Sequence, residues 1–143
     1  MNERVLIAYV AGQRIALPAS QAHSVIEIDS IAPVPRAPAY VKGITALRSR
    51  ALTVIDCRLA LGLTEGESQC EQAIVAEREN HLYALQVDHT EDVVEQQGEL
   101  APVPGSFGAG WTRVACGMAE TIVGPALLVD LGRIIAGPQS QAA

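Results

Sequence analysis

A mainly β fold, built from two copies of one small module, is predicted for this chain by three observations. Hydrophobic residues make up 49% of it and aromatics only 3%, so the core must be built from Val, Ile, Leu and Ala, and branched aliphatics favour strands. The apolar runs are short and are separated by glycine-containing or polar turns, the pattern of β-hairpins. Finally, a set of landmarks recurs in the same order about seventy residues further on.

Val5 to Val10 is the first mostly apolar run, and Ala11-Gly12-Gln13 turns it into Arg14 to Pro18. Ser20 to Val25 has a plausible N-cap and length for one or two helical turns. Val25, Ile26 and Ile28 follow as an apolar patch punctuated by Glu27 and Asp29. The stretch from Pro33 to Asp56 begins as an extended approach, because proline fixes φ and disfavours helix in the residue before it. It turns at Gly43 and continues as two β-prone runs, Ile44 to Leu47 and Leu52 to Ile55, joined by Arg48-Ser49-Arg50. A basic hairpin tip is poorly explained as core, so it reads either as a solubilising tip or as a partner anchor, arginine being enriched at interface hot spots. Asp56 is placed to cap a short helix that stops at Gly62, and Thr64 to Glu71 reads as a solvated loop. Ala73 to Ala76 and Leu82 to Val87 form a further hairpin about a polar tip, Glu77 to His81.

Ala16 to Glu27 overlays Ala84 to Glu95 without a gap, matching an Ala-Leu start and a Val-apolar-Glu end. Ile31-Ala32-Pro33-Val34-Pro35 is matched by Leu100-Ala101-Pro102-Val103-Pro104, and Val54-Ile55-Asp56 by Leu128-Val129-Asp130. A unit this long is a half-molecule, and neither half buries enough apolar surface alone, so the two are expected to pack along a shared aliphatic seam. The copies differ in their links. One carries Tyr40 to Arg50, and the other carries Gly105 to Gly110 with Phe107, then Trp111, Thr112 and Arg113. These variable parts are the best candidates for specific contacts.

A net charge of -6 with scattered basic residues argues against nucleic-acid partners and anionic membrane surfaces, since phosphate binding needs a local excess of Lys and Arg. No apolar run approaches the roughly 20 residues of a membrane-spanning helix, and the N-terminus lacks a signal peptide's regions, so a cytoplasmic protein without membrane insertion is expected. Cys57, Cys70 and Cys116 form no C-x-x-C pair and lack histidine at metal-ligand spacing, which leaves them as reduced thiols with no metal and no cofactor. No nucleophile elbow, phosphate-cradling loop or H-E-x-x-H motif is present, so no catalytic residues are assigned and an enzyme is not expected. Asp56 and Asp130, at equivalent places of the two copies, read as helix N-caps. His23, His81 and His89 read as solvated or locally bonded side chains, at a helical turn, a hairpin tip and a helical turn.

The order Pro33-Val34-Pro35, Ala37-Pro38-Ala39-Tyr40-Val41, Gly43-Ile44, Leu47-Arg48, Val54-Ile55-Asp56, Arg58 and Leu61-Gly62-Leu63 resembles the signature of the CheW-like domain. The likeness extends over nearly the whole chain. It implies two intertwined five-stranded SH3-like β-barrels with short helices, the first over about residues 11–75 and the second over about 1–10 with 76–143. It also implies a non-enzymatic adaptor of chemotaxis-type signalling, which couples the regulatory domain of a CheA-type histidine kinase to the cytoplasmic tip of methyl-accepting receptors in membrane-associated arrays. Carried over by position, Val25, Glu27, Ile28 and Arg48 face the receptor, while Lys42, Gly43 and Phe107 face the kinase. Ser49 stands where the family has a turn glycine, so another turn type is expected there. Two further readings stand beside this one. They are a divergent adaptor for another kinase pathway, and a small-ligand-binding barrel with its site in the inter-barrel cleft.

Overall fold

The first strand, β1 (Arg4–Val10), reads RVLIAYV with no polar alternation in its middle; such a strand is stable only with both faces covered. In the computed structural model, which describes residues 3–62, 72–103 and 108–137, its side chains serve two cores in turn. Val5 and Ile7 enter one cluster, while Leu6, Ala8 and Val10 enter another.

Two sheets result. β1 pairs with β2 (Gln13–Pro18), and with β8 (His89–Glu95), β9 (Gln97–Ala101), β10 (Ala115–Thr121) and β11 (Gly124–Val129) it forms a six-stranded sheet ordered β8-β1-β2-β11-β10-β9. The five-stranded sheet is ordered β3-β6-β7-β5-β4, from β3 (Ala22–Glu27), β4 (Val41–Leu47), β5 (Arg50–Asp56), β6 (Gln72–Arg78) and β7 (His81–Gln86). Three short helices, α1 (Cys57–Ala60), α2 (Ala109–Val114) and α3 (Leu131–Ala136), complete the described chain.

The internal repeat is legible in this topology. β1-β2-β3-β4-β5-α1 corresponds to β6-β7-β8-β10-β11-α3, and each sheet joins the first two strands of one copy to the last three of the other, with the third strand at its edge. Even the minor bridges agree, because Ala32 pairs with Ile44 in one copy and its equivalent Ala101 pairs with Met118 in the other. The two sheets are curled and incompletely closed, and the sheet that contains β1 has six strands where the barrel expectation has five, because β9 is added at its edge. Sheet membership changes at the β2–β3 and β7–β8 connections. The divisions at about residues 10/11 and 75/76 fall instead within the β1–β2 and β6–β7 hairpins, whose tight turns keep both strands in one sheet.

The largest buried cluster lies between the sheets and includes Leu17, Ile55, Ile74, Leu85, Leu127 and Ile134. Smaller clusters fill each sheet's own concave side, Leu52, Val54 and Val75 in one and Val5, Ile7 and Ala126 in the other. Trp111, read from the variable link as a candidate contact, is 7% exposed and belongs to the seam. Its helix α2 reaches the seam through Gly110, where a Cβ would be driven into the Leu61 carbonyl.

Ser20 to Val25, expected as a helical turn, contributes strand β3 instead, paired with β6 from Ala22↔Ala76 to Glu27↔Gln72. The pairing partner lies fifty residues away, so tertiary pairing overrides the local cap signal. His23 and His89 accordingly sit on strands. The Asp56 expectation holds: its carboxylate accepts from the Arg58 and Leu59 amides at 2.9 and 3.2 Å. Asp130 caps α3 more loosely, accepting from Arg133 N–H at 3.3 Å. The Thr64 to Glu71 loop and Cys70 lie outside the described residues.

Candidate interaction surface

Strand register decides which way each candidate residue faces. Val25 lies opposite Ile74, a member of the seam cluster, so it stands on the seam side of its edge strand, 39% exposed. Glu27, two residues on, shares that side and is exposed. Ile28 behaves differently. It is 7% exposed and packs with Leu52, Val54 and Val75 inside the first sheet's concave core.

The internal repeat supplies a residue that the sequence reading did not single out. Val93 is the overlay partner of Val25, lies opposite the seam residue Leu6, and is 47% exposed. Glu95 repeats Glu27. The signal was available in the Ala84 to Glu95 overlay, but apolar exposure becomes visible only when β8 is placed at a sheet edge.

Arg48 occupies the β4–β5 tip, which is two residues long rather than three, since Arg50 opens β5. Its φ is +60°, so the left-handed position falls on the arginine and Ser49 needs none. A non-glycine residue there carries strain of order 1 kcal/mol. The tip borders a hollow of about 470 Å³ lined by Ser30, Ala32, Ile44, Ser49 and Arg50. Thr45 Oγ1, donating to the Ser30 carbonyl at 2.8 Å, ties the segment after β3 to this hairpin.

Lys42 is half-buried and Gly43 buried on β4. Gly43, at φ +144°, sits at a register shift opposite β5, and a Cβ there would strike the Ala32 carbonyl. Just before it, the Tyr40 hydroxyl donates to the Ala136 carbonyl at 3.0 Å, which ties the proline-rich approach to the last helix. Phe107 lies outside the described residues.

A third surface, at the β10–β11 tip, is apolar. Ile122 is 78% exposed and Val123 39%, beside two hollows of about 460 and 400 Å³ that Val94 and Ile122 share. In the repeat this tip corresponds to Arg48-Ser49, so the module presents one basic and one apolar tip.

Burial perturbs three ionisable groups among the described residues. Burial, reinforced by Asp56 and Asp88, pushes the Cys57 thiol far above its usual range, so it stays protonated and inert. Burial also raises the Cys116 thiol and lowers Arg113, whose guanidinium donates to the Arg133 and Ala60 carbonyls at 2.7 and 2.8 Å. Among the described residues no group of three or more His, Cys, Asp or Glu is placed to hold a metal ion. The inter-sheet seam is filled by buried side chains such as Ile15, Leu85 and Leu127, so the ligand-binding cleft entertained from the sequence is occupied by core. No helix of the described chain is long and apolar enough to cross a membrane.

A family model described as the CheW-like domain matches residues 4–139. The chain belongs to the CheW-like domain family. It is 28% identical over 134 residues to the chemotaxis protein CheW of Thermotoga maritima, an alignment that covers 92% of this chain and 86% of the relative. A second relative, the chemotaxis protein CheW of Rhizobium meliloti, is 32% identical over 74 residues, covering 50% of this chain and 48% of that one. The fold is similar to that of the scaffolding protein TtCheW from Thermoanaerobacter tengcongensis, with a TM-score of 0.79, 22% identity, and coverage of 92% and 90% of the two chains. The two sheets described above are thus the two SH3-like, incompletely closed barrels of a CheW-like domain.

Proposed function

We propose that this chain is a chemotaxis-type scaffold that couples a CheA-type histidine kinase to the cytoplasmic tip of a methyl-accepting receptor by contact, with no chemistry of its own. The observation that carries this reading is the pair Val25 and Val93. Two equivalent edge strands each leave a valine exposed on the seam side, where every interior neighbour is buried. Exposed aliphatics at the margin of an aliphatic seam suit an amphipathic helix laid into a groove. Membership of the CheW-like family and the named role of the relatives support the same conclusion.

In this reading Val25 and Glu27 touch the receptor helix from one rim and Val93 from the other. Ile28 supports the first rim from inside its barrel. Arg48 anchors the helix at the hairpin tip, and the strained φ at an exposed arginine is the kind of cost retained where a side chain must be aimed. The kinase module docks at the barrel ends, towards Lys42 and the segment carrying Phe107, while Gly43 shapes β4 there. Such an adaptor works in the cytoplasm and joins membrane-associated arrays through the receptor.

The test is binding of the full chain to a purified receptor cytoplasmic fragment and, separately, to the kinase regulatory domain. Arg48→Ala and Val25→Asp should each weaken receptor binding by roughly tenfold or more with a native circular dichroism spectrum and unchanged kinase binding. Receptor affinity equal to wild type in both variants refutes the groove.

A further inference from the structure

The two copies cross between sheets at equivalent places, and the second crossing carries an ionic clamp. After β2 the chain passes to the edge strand β3 through residues 19–21; after β7 it passes to the edge strand β8 through residues 87–88. Each crossing is tied to the neighbouring hairpin by a backbone bond, Glu77 N–H to the Gln21 carbonyl at 3.1 Å in one and Asp88 N–H to the Tyr9 carbonyl at 2.9 Å in the other. At the second crossing the Asp88 carboxylate adds more. It accepts the Ala11 N–H at 2.8 Å and both arms of the Arg58 guanidinium, Nε at 3.2 Å and Nη2 at 2.7 Å. The gapless overlay puts exposed Ser20 at the place of Asp88, and the match of Asp56 with Asp130 puts Gly132 at the place of Arg58, so the repeated module does not itself specify this pair.

Its partners come from three elements whose relative placement sets the groove. Arg58 projects from α1, which the Asp56 cap fixes to the end of β5, the strand of the Arg48 hairpin. Asp88 immediately precedes β8, the strand of Val93, and Ala11 lies in the β1–β2 turn of β8's own sheet. The guanidinium and carboxylate are about one-quarter exposed, 27% and 25%, so the pair is shielded and bidentate, the geometry in which Arg and carboxylate contribute most to orientation.

We infer that Arg58 and Asp88 are positioning residues that hold the Val93 rim of the groove at a fixed angle to the Val25 rim and the Arg48 tip. This rests on the groove reading above for its functional consequence, though not for its geometry. The clamp adds a side-chain tie between the two sheets at the β7–β8 crossing, so loosening it lets that crossing swing while each barrel keeps its own hydrogen bonds.

The geometry is read by the distance between nitroxide labels at Val25→Cys and Val93→Cys, with Cys70 and Cys116 changed to Ser and buried Cys57 left in place. Asp88→Asn, which keeps an acceptor for Ala11 but loses the charge, should broaden that distance distribution while each sheet retains native hydrogen exchange. In the unlabelled chain it should weaken receptor-fragment binding by about five- to tenfold. Arg58→Lys keeps the charge without the fork and should fall between; it also serves if Asp88→Asn folds poorly. A distribution as narrow as wild type in both variants overturns the inference. Broadening with undiminished receptor binding would uphold the clamp and refute the groove instead.

Discussion

Gly43→Ala separates scaffold from contact at the position where the family likeness suggested a kinase approach. Gly43 has φ +144°, in the region that disfavours side chains, and a Cβ would meet the Ala32 carbonyl, a backbone atom that cannot rotate away. That carbonyl is one half of a reciprocal bridge in which Ala32 N–H donates to the Ile44 carbonyl and Ile44 N–H to the Ala32 carbonyl, both at 2.9 Å. Backbone strain of roughly 1–2 kcal/mol and the weakening of two hydrogen bonds worth about 1 kcal/mol each sum to a loss of ~3 kcal/mol. Against a typical urea dependence for small domains, that loss moves the unfolding midpoint down by about 1–2 M at unchanged slope. Lys42→Ala, next to it, should leave the midpoint within about 0.5 M while carrying any kinase contact. A Gly43→Ala midpoint within about 0.5 M of wild type, with native strand register by amide spectroscopy, would refute the strain argument.

Two further perturbations follow from the same geometry. Asp56 is fully buried and makes two cap bonds while Asp130 makes a single longer one, so Asp56→Ala should cost about 1–2 kcal/mol and Asp130→Ala about 0.5 kcal/mol, measured by parallel denaturant titrations; equal costs would contradict the assignment. Burial raises the Cys57 thiol, so the folded chain holds that proton more tightly than the unfolded one. The stability this contributes is complete below about pH 8.5 and is lost as pH rises, at up to about 1.4 kcal/mol per pH unit. Cys57→Ala should flatten the alkaline fall in stability relative to wild type, and an identical slope in both chains would contradict it.

Much of the fold is legible in the chain itself. Strands such as β1 and β6 must be covered on both faces because their apolar runs do not alternate, and the overlay of Ala16–Glu27 on Ala84–Glu95 already contains the β2–β3 and β7–β8 correspondence. The β3 segment carries an N-cap pattern that is local, while its pairing partner, β6, lies about fifty residues on, beyond β4, β5 and α1. Trp111 reads as a candidate contact in a glycine-rich link, yet Gly110 lets its helix approach Leu61 closely enough to bury it. Val93 is not legible as a surface residue, because an exposed valine on an edge strand and a buried one in a sheet centre are the same letter.

The basic hairpin of Arg48 and the duplicated frame around it are written locally, in turn residues, apolar runs and the order of landmarks, and these depend on the chain's near neighbours. The placing of each copy's first hairpin in the other copy's sheet, the burial of Ile28 beside the exposure of Val25, and the meeting of Arg58 with Asp88 thirty residues away depend on how two half-modules cover each other. No local pattern encodes that. Neither copy buries its seam face alone, and only their mutual packing decides which aliphatics become core and which remain exposed at the rim.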